Sequence, residues 1–365
     1  MFGLKPVPRS GIDRIRKHMV VAEDDGPPIS VFLDSNESAF GPSAHATAAA
    51  AAAAASMHRY IENQERRMVP ALASHHRLDP RRIAIGCGSD DLLVRLCRAY
   101  LEPGSELIRS VNSYLKVPNY AHSNDAFPVS VPDRGFAPVP ELMLAAVSDR
   151  TRIVYLANPD NPSGSYVNVD SVRALHELLP DNVLLVIDCA YFEYVDRDDP
   201  SGFLRLVEEA KNVVVTRTFS KVHGLAGARV GWIYGPPDVV DTVNRLCYTF
   251  PLATQSIAAA LAALEDKDHA GFVVRETRRL RRSFAVGFSS MGLKVHASQA
   301  NFLLLEFTDP ARTAEAACAW LRRQGIAVRR FTAPSYRNCL RITLGLENEL
   351  GLALNAMAEF MRSGK

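Results

Sequence analysis

A chain of 365 residues, 47% hydrophobic and 22% charged, is long enough for two or three domains, or for one large domain with an appendage. Its 42 basic and 40 acidic residues leave a net charge of +2, so no strong overall field favours nucleic acid, a membrane surface or a polyanionic partner. The six cysteines (Cys87, Cys97, Cys189, Cys247, Cys318 and Cys339) contain no C-x-x-C pair, which fits neither a zinc site nor a secreted disulfide scaffold.

The first residues, Met1 to Pro6, lack an apolar signal core, and no later run has the length of a membrane span, so a soluble cytoplasmic protein is expected. The first 45 or so residues are proline-rich (Pro6, Pro8, Pro27, Pro28, Pro42), an arm with one short apolar stretch over 29–33. Residues 44–55 are almost wholly alanine, the strongest helix former, and such small side chains admit another backbone closely. This helix is therefore expected near a subunit contact.

Beyond it, short apolar strands (83–85, 106–108, 128–131, 152–156, 183–187, 213–215 and 230–234) alternate with amphipathic helices (91–101, 139–147 and 169–179). That alternation implies an α/β fold with a mostly parallel sheet covered on both faces. After Pro236 the texture changes. Helices at 255–264, 272–291, 312–324 and 350–361, with strands at 302–307, 327–330 and 340–343, suggest a smaller α+β domain. The expected organisation is an arm and small-domain segment over 1–45, a large domain over 46–260 and a small domain over 261–365.

In open parallel sheets ligands bind beyond the carboxyl ends of the strands, so the residues that follow each strand carry the functional argument. After the first comes Gly86-Cys87-Gly88-Ser89-Asp90-Asp91, opening a helix: free N–H groups, a hydroxyl and the helix dipole suit an anion, although a plain helix cap reads equally well. Tyr114 follows the second and is either a core aromatic or a ring that stacks on a planar ligand. Asn158-Pro159-Asp160-Asn161-Pro162-Ser163-Gly164 is a rigid turn in which Asn161 can offer an amide N–H to a ring oxygen.

Asp188 ends a wholly apolar strand, where a carboxylate needs a cation or strong donors, and a pyridinium nitrogen is such a partner. Tyr191, three residues on, can reach a ring hydroxyl. Val213-Val214-Val215 then leads to Lys221, which can form a Schiff base with a carbonyl cofactor while Thr218, Ser220 and Arg229 supply phosphate donors. Together these residues describe a site for pyridoxal phosphate. A nicotinamide site is disfavoured, since no G-x-G-x-x-G follows an early strand.

The order G-S-D-D, N-P-D-N-P-S-G, D-C-A-Y, S-K-V-H-G-L-A-G-A-R and L-R-I-T-L-G resembles that of fold type I pyridoxal-phosphate aminotransferases, most closely the histidinol-phosphate aminotransferase family. The resemblance runs from Asn36-Glu37 to Arg341 and implies a seven-stranded large-domain sheet with pyridoxal 5'-phosphate on Lys221. It implies that Gly88, Ser89, Asp90, Thr218, Ser220 and Arg229 surround the phosphate, with Tyr114 stacked on the ring. Asn161 and Tyr191 would bind the 3-oxygen and Asp188 the ring nitrogen, with Lys221, Asp188 and Tyr191 as the catalytic set. Arg341 would fork onto a substrate α-carboxylate, Arg329 would meet the substrate's phosphate, and Asn36 would border the substrate.

Tyr60 matches a tyrosine that reaches the neighbouring subunit's cofactor phosphate, which implies a homodimer. The implied reaction moves an amino group between L-histidinol phosphate and 2-oxoglutarate. Alternatives are an aminotransferase for aromatic or other amino acids, a phosphothreonine-type decarboxylase, and a non-catalytic cofactor sensor, for which the expected basic DNA-binding extension is absent. Cys189, Ser38-Ala39, Ile61 and His223 depart from the family pattern in segments expected to shape substrate entry, and Arg330 is expected to add a second cation beside Arg329. Lys221 must be neutral to act as a base, which Arg229 and burial are expected to favour. His75 and His76 are expected to diverge, and 278–282 (R-R-L-R-R) to form a solvated helix face.

Overall fold

The apolar strands read from the sequence assemble into one seven-stranded sheet. In this computed structural model, which describes residues 6–16, 27–61, 64–196 and 201–363, its strands are β2 (Ile83–Gly86), β3 (Glu106–Ser110), β4 (Phe127–Val131), β5 (Thr151–Ala157), β6 (Leu184–Asp188), β7 (Val213–Thr218) and β8 (Gly231–Tyr234). Their order is β2-β8-β7-β6-β5-β3-β4, parallel except for β8, which runs against both neighbours. β2, β3, β5, β6 and β7 therefore end along one edge, and the loops singled out above all leave from that edge.

Both faces of the sheet are covered, as the near-continuous apolar strands require. Alternate residues divide between the two layers: Leu185, Ile187, Val213 and Val215 enter one core, and Leu184, Val186 and Val214 the other. The alanine-rich helix, Ala44–Ala54, starts with the Ser43 hydroxyl accepting from the Ala46 N–H at 3.1 Å and lies along the Thr254–Glu265 helix.

A second sheet has the order β1-β11-β12-β10-β9, built from β1 (Val31–Leu33), β9 (Lys294–Val295), β10 (Phe302–Glu306), β11 (Ile326–Arg330) and β12 (Cys339–Thr343). The short apolar stretch of the arm is its edge strand, paired parallel to β11 across almost the whole chain. Helices Lys267–Ser289, Ala314–Arg323 and Glu347–Arg362 share its core through Leu280, Phe284, Leu321 and Met357. Residues 6–16 dock elsewhere, where the Gly11 N–H donates to Asp125 at 2.8 Å and Asn119 exchanges hydrogen bonds with the Arg16 backbone.

Several elements differ from expectation. Helices Gln64–His76, Gly202–Glu209 and Pro237–Arg245 were not expected: Pro70 interrupts the first, and the others are short. His75 and His76 do not diverge; their rings meet at 4.6 Å, and His76 packs on Trp232. Burial drives the His76 imidazole down to about 2.

The 278–282 run is a solvated face only in part: Arg279 and Arg282 are exposed, but the other two arginines are not. Arg281 is buried and donates to the Ala300 carbonyl and to Asp196, while Arg278 donates to the Tyr194 and Val195 carbonyls. Charge patterning could not reveal these acceptors because most are backbone carbonyls of another element. No helix among the described residues is long and apolar enough to cross a membrane.

Candidate active site

At the shared strand edge lies a cleft of about 380 Å³, walled by the loops after β2, β3, β5, β6 and β7 and closed by β11 and β12 of the second sheet. It brings together Asn36, Ser89, Asp90, Tyr114, Asn161, Asp188, Tyr191, Thr218, Ser220, Lys221, Arg229, Arg329 and Arg341. Gly88 stands behind Arg229. Tyr60 is not brought in: it is 78% exposed and stacks on Phe250 with ring centroids 4.3 Å apart.

The floor is Asp188. Its two oxygens accept from the Thr216 hydroxyl at 2.7 Å and the Tyr155 hydroxyl at 2.8 Å, and no described residue forms an ion pair with it. Burial raises its carboxyl above the ordinary range, against the pull of those two donors. The arrangement is a buried carboxylate, held by neutral donors, that a cation from within the cleft would complete. Neither Tyr155 nor Thr216 was anticipated, although hydroxyls adjoining the apolar centres of β5 and β7 are the signal that could have exposed them.

Lys221 donates from Nζ to the Asn36 carbonyl at 3.0 Å. Burial brings its ammonium down to about 8; Arg341 adds to this, Glu37 opposes it, and Arg229 contributes less than Arg341. Arg229 thus acts in the expected direction, with Arg341 the stronger cationic neighbour. Asn36, at φ 54°, is a hub: its side-chain amide donates to the Tyr191 hydroxyl at 3.0 Å, its N–H to Thr343 at 2.9 Å, and its carbonyl also accepts from Asn301 at 3.2 Å. Asn161 donates to the same Tyr191 hydroxyl at 3.3 Å.

One end of the cleft forms an anion cup. Gly88 caps the Ser89–Tyr100 helix at φ 82°, and a β-carbon there would stand 2.4 Å from Nη2 of Arg229. Gly231 permits the same close approach, since its β-carbon would stand 2.4 Å from the Ser89 nitrogen. Ser220, Thr218 and Arg229 complete the cup: Thr218 donates to Ser220 at 3.0 Å, and Arg229 approaches Ser220 at 3.4 Å. The Asp90 carboxylate turns away to accept from Tyr114 at 3.1 Å and Tyr120 at 2.6 Å, so towards an anion it can offer only its backbone N–H.

At the other end, Arg341 of β12 faces Arg329 of β11 across the ladder. Arg341 donates to Asn161 at 2.7 Å and to the Asp34 carbonyl, with its guanidinium over the Phe302 and Phe331 rings at 5.3 and 5.8 Å. Burial lowers it to about 10, aided by Arg329. Arg330 does not join this pair. The strand alternation points it away to Glu315, at 2.7 Å.

The departures at Cys189, Ser38-Ala39, Ile61 and His223 do not line the cleft. Cys189 lies in the core, and His223, lowered by burial to about 4, leans on Phe219. Behind the lysine loop, Arg217 is buried against Glu193 at 2.8 Å and lies over the Phe192 and Trp232 rings. This pair fastens the segment after Tyr191 to the strand that delivers Lys221.

Residues 28–356 match the family described as aminotransferase class I and II. A histidinol-phosphate aminotransferase of Rhodospirillum centenum is 40% identical over 359 residues, 98% of this chain and 99% of that protein. The chain belongs to the histidinol-phosphate aminotransferase family. Among solved structures, the histidinol-phosphate aminotransferase of Sinorhizobium meliloti in complex with pyridoxal-5'-phosphate has a TM-score of 0.87 and 33% identity, covering 92% of this chain and 91% of that one. An aspartate aminotransferase of Thermus thermophilus, at 24% identity and a TM-score of 0.78, shares the fold. The expected fold type I architecture of this aminotransferase is borne out, and so is its assignment as an enzyme.

Proposed function

We propose that this aminotransferase moves the amino group of L-histidinol phosphate to 2-oxoglutarate, using pyridoxal 5'-phosphate held on Lys221. The carrying observation is the Arg341–Arg329 pair in the same cleft as Lys221 and Asp188. One buried, fixed guanidinium suits the α-carboxylate of the oxo acid, and the two together suit the dianionic phosphate of the donor. An enzyme for aromatic amino acids would need no second cation there.

The residues fit the cofactor. Asp188, buried with no cationic partner among the described residues, would hold the ring nitrogen proton. Asn161 and Tyr191 would meet the 3-oxygen and Tyr114 the ring face, while Gly88, Ser89, Thr218, Ser220, Arg229 and the Asp90 N–H would cradle the phosphate. When bound, the cofactor supplies an electron sink for the substrate's α-carbon. Lys221 takes the α-proton on Nζ and returns it one position away; an amine titrating near 8 is free to accept it at neutral pH more often than a solvated lysine. Arg341, braced by Asn161 and the Asp34 carbonyl, keeps the substrate oriented while this happens.

The chain divides into an arm and small-domain segment (1–45), a cofactor domain (46–260) and a small domain (261–365), works as a soluble cytoplasmic enzyme and pairs as a homodimer. Tyr60 of each subunit would then complete the partner's phosphate cup. The exposed Met57, Tyr60, Tyr248 and Phe250 support a covered surface there.

The test is Arg329→Ala, titrated with histidinol phosphate and with histidinol while the visible absorbance of the lysine-bound cofactor is followed. Binding of the phosphorylated ligand should weaken about 10- to 100-fold, the worth of one charge-assisted hydrogen-bonded contact, while histidinol changes little. Equal losses for both ligands would overturn a phosphate-bearing donor.

A further inference from the structure

Asp160 is a fully buried carboxylate that the chemistry described above leaves unused. It is 1% exposed, and no described residue forms an ion pair with it. It does not line the cleft, although Pro159 and Asn161 on either side of it do. Burial pushes its carboxyl up to about 7 against the pull of the Ser113 and Ser163 hydroxyls; Asp133 adds to the rise and Arg109 opposes it. Burying such a group is costly unless its hydrogen bonds are met, and both of its oxygens are met.

The two donors belong to different walls of the cleft. One oxygen accepts from the hydroxyl of Ser113, the residue before Tyr114; the other accepts at 2.8 Å from the hydroxyl of Ser163, two residues after Asn161. Each wall is itself fixed. Arg109, buried, donates to the Ser113 carbonyl at 2.7 Å, and the Tyr336 hydroxyl donates to the Asn112 carbonyl at 3.1 Å. In the turn, the Asp160 N–H donates to the Ser165 carbonyl and the Gly164 N–H to the Asp160 carbonyl, both at 2.8 Å. Asn161 stands at the junction: its amide donates to the Tyr191 hydroxyl at 3.3 Å, and its oxygen accepts from Arg341 at 2.7 Å. A shift of the turn thus displaces the Asn161 amide and the brace of the substrate-side arginine together.

We infer that Asp160 is a positioning residue: by accepting one serine hydroxyl from each wall, it sets the Asn161 amide and the Tyr114 ring in register around the cofactor ring. The inference rests on the proposed reading of Asn161 as a donor to the ring 3-oxygen.

The experiment measures, in the holoenzyme, the pH midpoint at which the visible absorbance of the lysine-bound cofactor changes, together with urea unfolding of the same variants. A donor held against the 3-oxygen competes for that oxygen with the proton of the cofactor–lysine linkage, so loss of the donor raises the midpoint. Asn161→Ala should raise it by about one unit, the worth of a hydrogen bond to a charged oxygen, and Ser113→Ala and Asp160→Ala by about half a unit each. Deleting the Asp160 charge alone would lower the midpoint, so a rise in D160A reports position rather than charge. The D160A/S113A double variant should rise no further than D160A. A parental midpoint in S113A, a midpoint at or below the parental one in D160A, or additive rises in the double variant would overturn the inference, whatever the loss in urea resistance. Failure of the underlying reading is distinguishable: N161A would then keep the parental midpoint, and the inference would fall with it.

Discussion

Replacing Gly88 by alanine separates two costs set by the anion cup. Gly88 lies at φ 82° and ψ 168°, a region open essentially to glycine, so a β-carbon strains the backbone by about 1–3 kcal/mol with or without cofactor. That β-carbon would also stand 2.4 Å from Nη2 and 3.1 Å from Cζ of Arg229, so the guanidinium must leave its place. Losing a charge-assisted contact to phosphate is worth about 1.5–3 kcal/mol, or roughly 10- to 150-fold in the cofactor's dissociation constant. Urea unfolding of the cofactor-free protein reads the first cost, and titration of that protein with pyridoxal 5'-phosphate, followed by visible absorbance, reads the second. The G88A/R229A double variant has no guanidinium to displace and should bind cofactor no more weakly than R229A. G88A with parental affinity, or a double variant far weaker than R229A, would refute the steric link.

Lys221→Met removes a buried ammonium. Its folded-state value of about 8 lies below the 10.5 of an open chain, so between these values the unfolded state binds more protons and stability rises with pH. Below pH 8 the buried charge costs on the order of 3 kcal/mol. Cofactor-free K221M should exceed the parent in denaturant resistance at pH 7 by about that amount, with most of the gap gone at pH 10; a gap independent of pH would show another cause. Tyr155→Phe deletes one of the two hydroxyl donors to Asp188 and should weaken cofactor binding about tenfold or more, with Thr216→Val acting in the same direction. Parental cofactor affinity in both variants would show that Asp188 does not depend on these donors.

The parts of the site legible in the sequence are those fixed by position after a strand. Asp188, Asn161 and Lys221 could be read because each follows an apolar run that must end at the sheet edge. What escaped depends on which side chain meets which across elements. Tyr155 and Thr216 reach Asp188 only because β5 and β7 flank β6, an order that periodicity does not reveal. Arg278 and Arg281 looked solvated because their acceptors include carbonyls at 194 and 300, which no charge pattern records. Arg330 looked like a neighbour of Arg329, yet the two-residue period of β11 puts them on opposite faces, and that could have been read in advance.

The parallel pairing of β1 with β11 has a consequence for synthesis of the chain. Residues 31–33 leave the ribosome long before residues 326–328, their strand partner among the described residues. At about 5–20 residues per second, the apolar Val31 and Leu33 wait on the order of 15–60 s for the site that buries them. Asn36, just downstream, waits about as long for Thr343 and Asn301, so the carbonyl that receives Lys221 is set in place only after those residues have been made. A truncated product can thus hold the lysine and most of the cofactor cup while lacking the last constraint on the lysine's position.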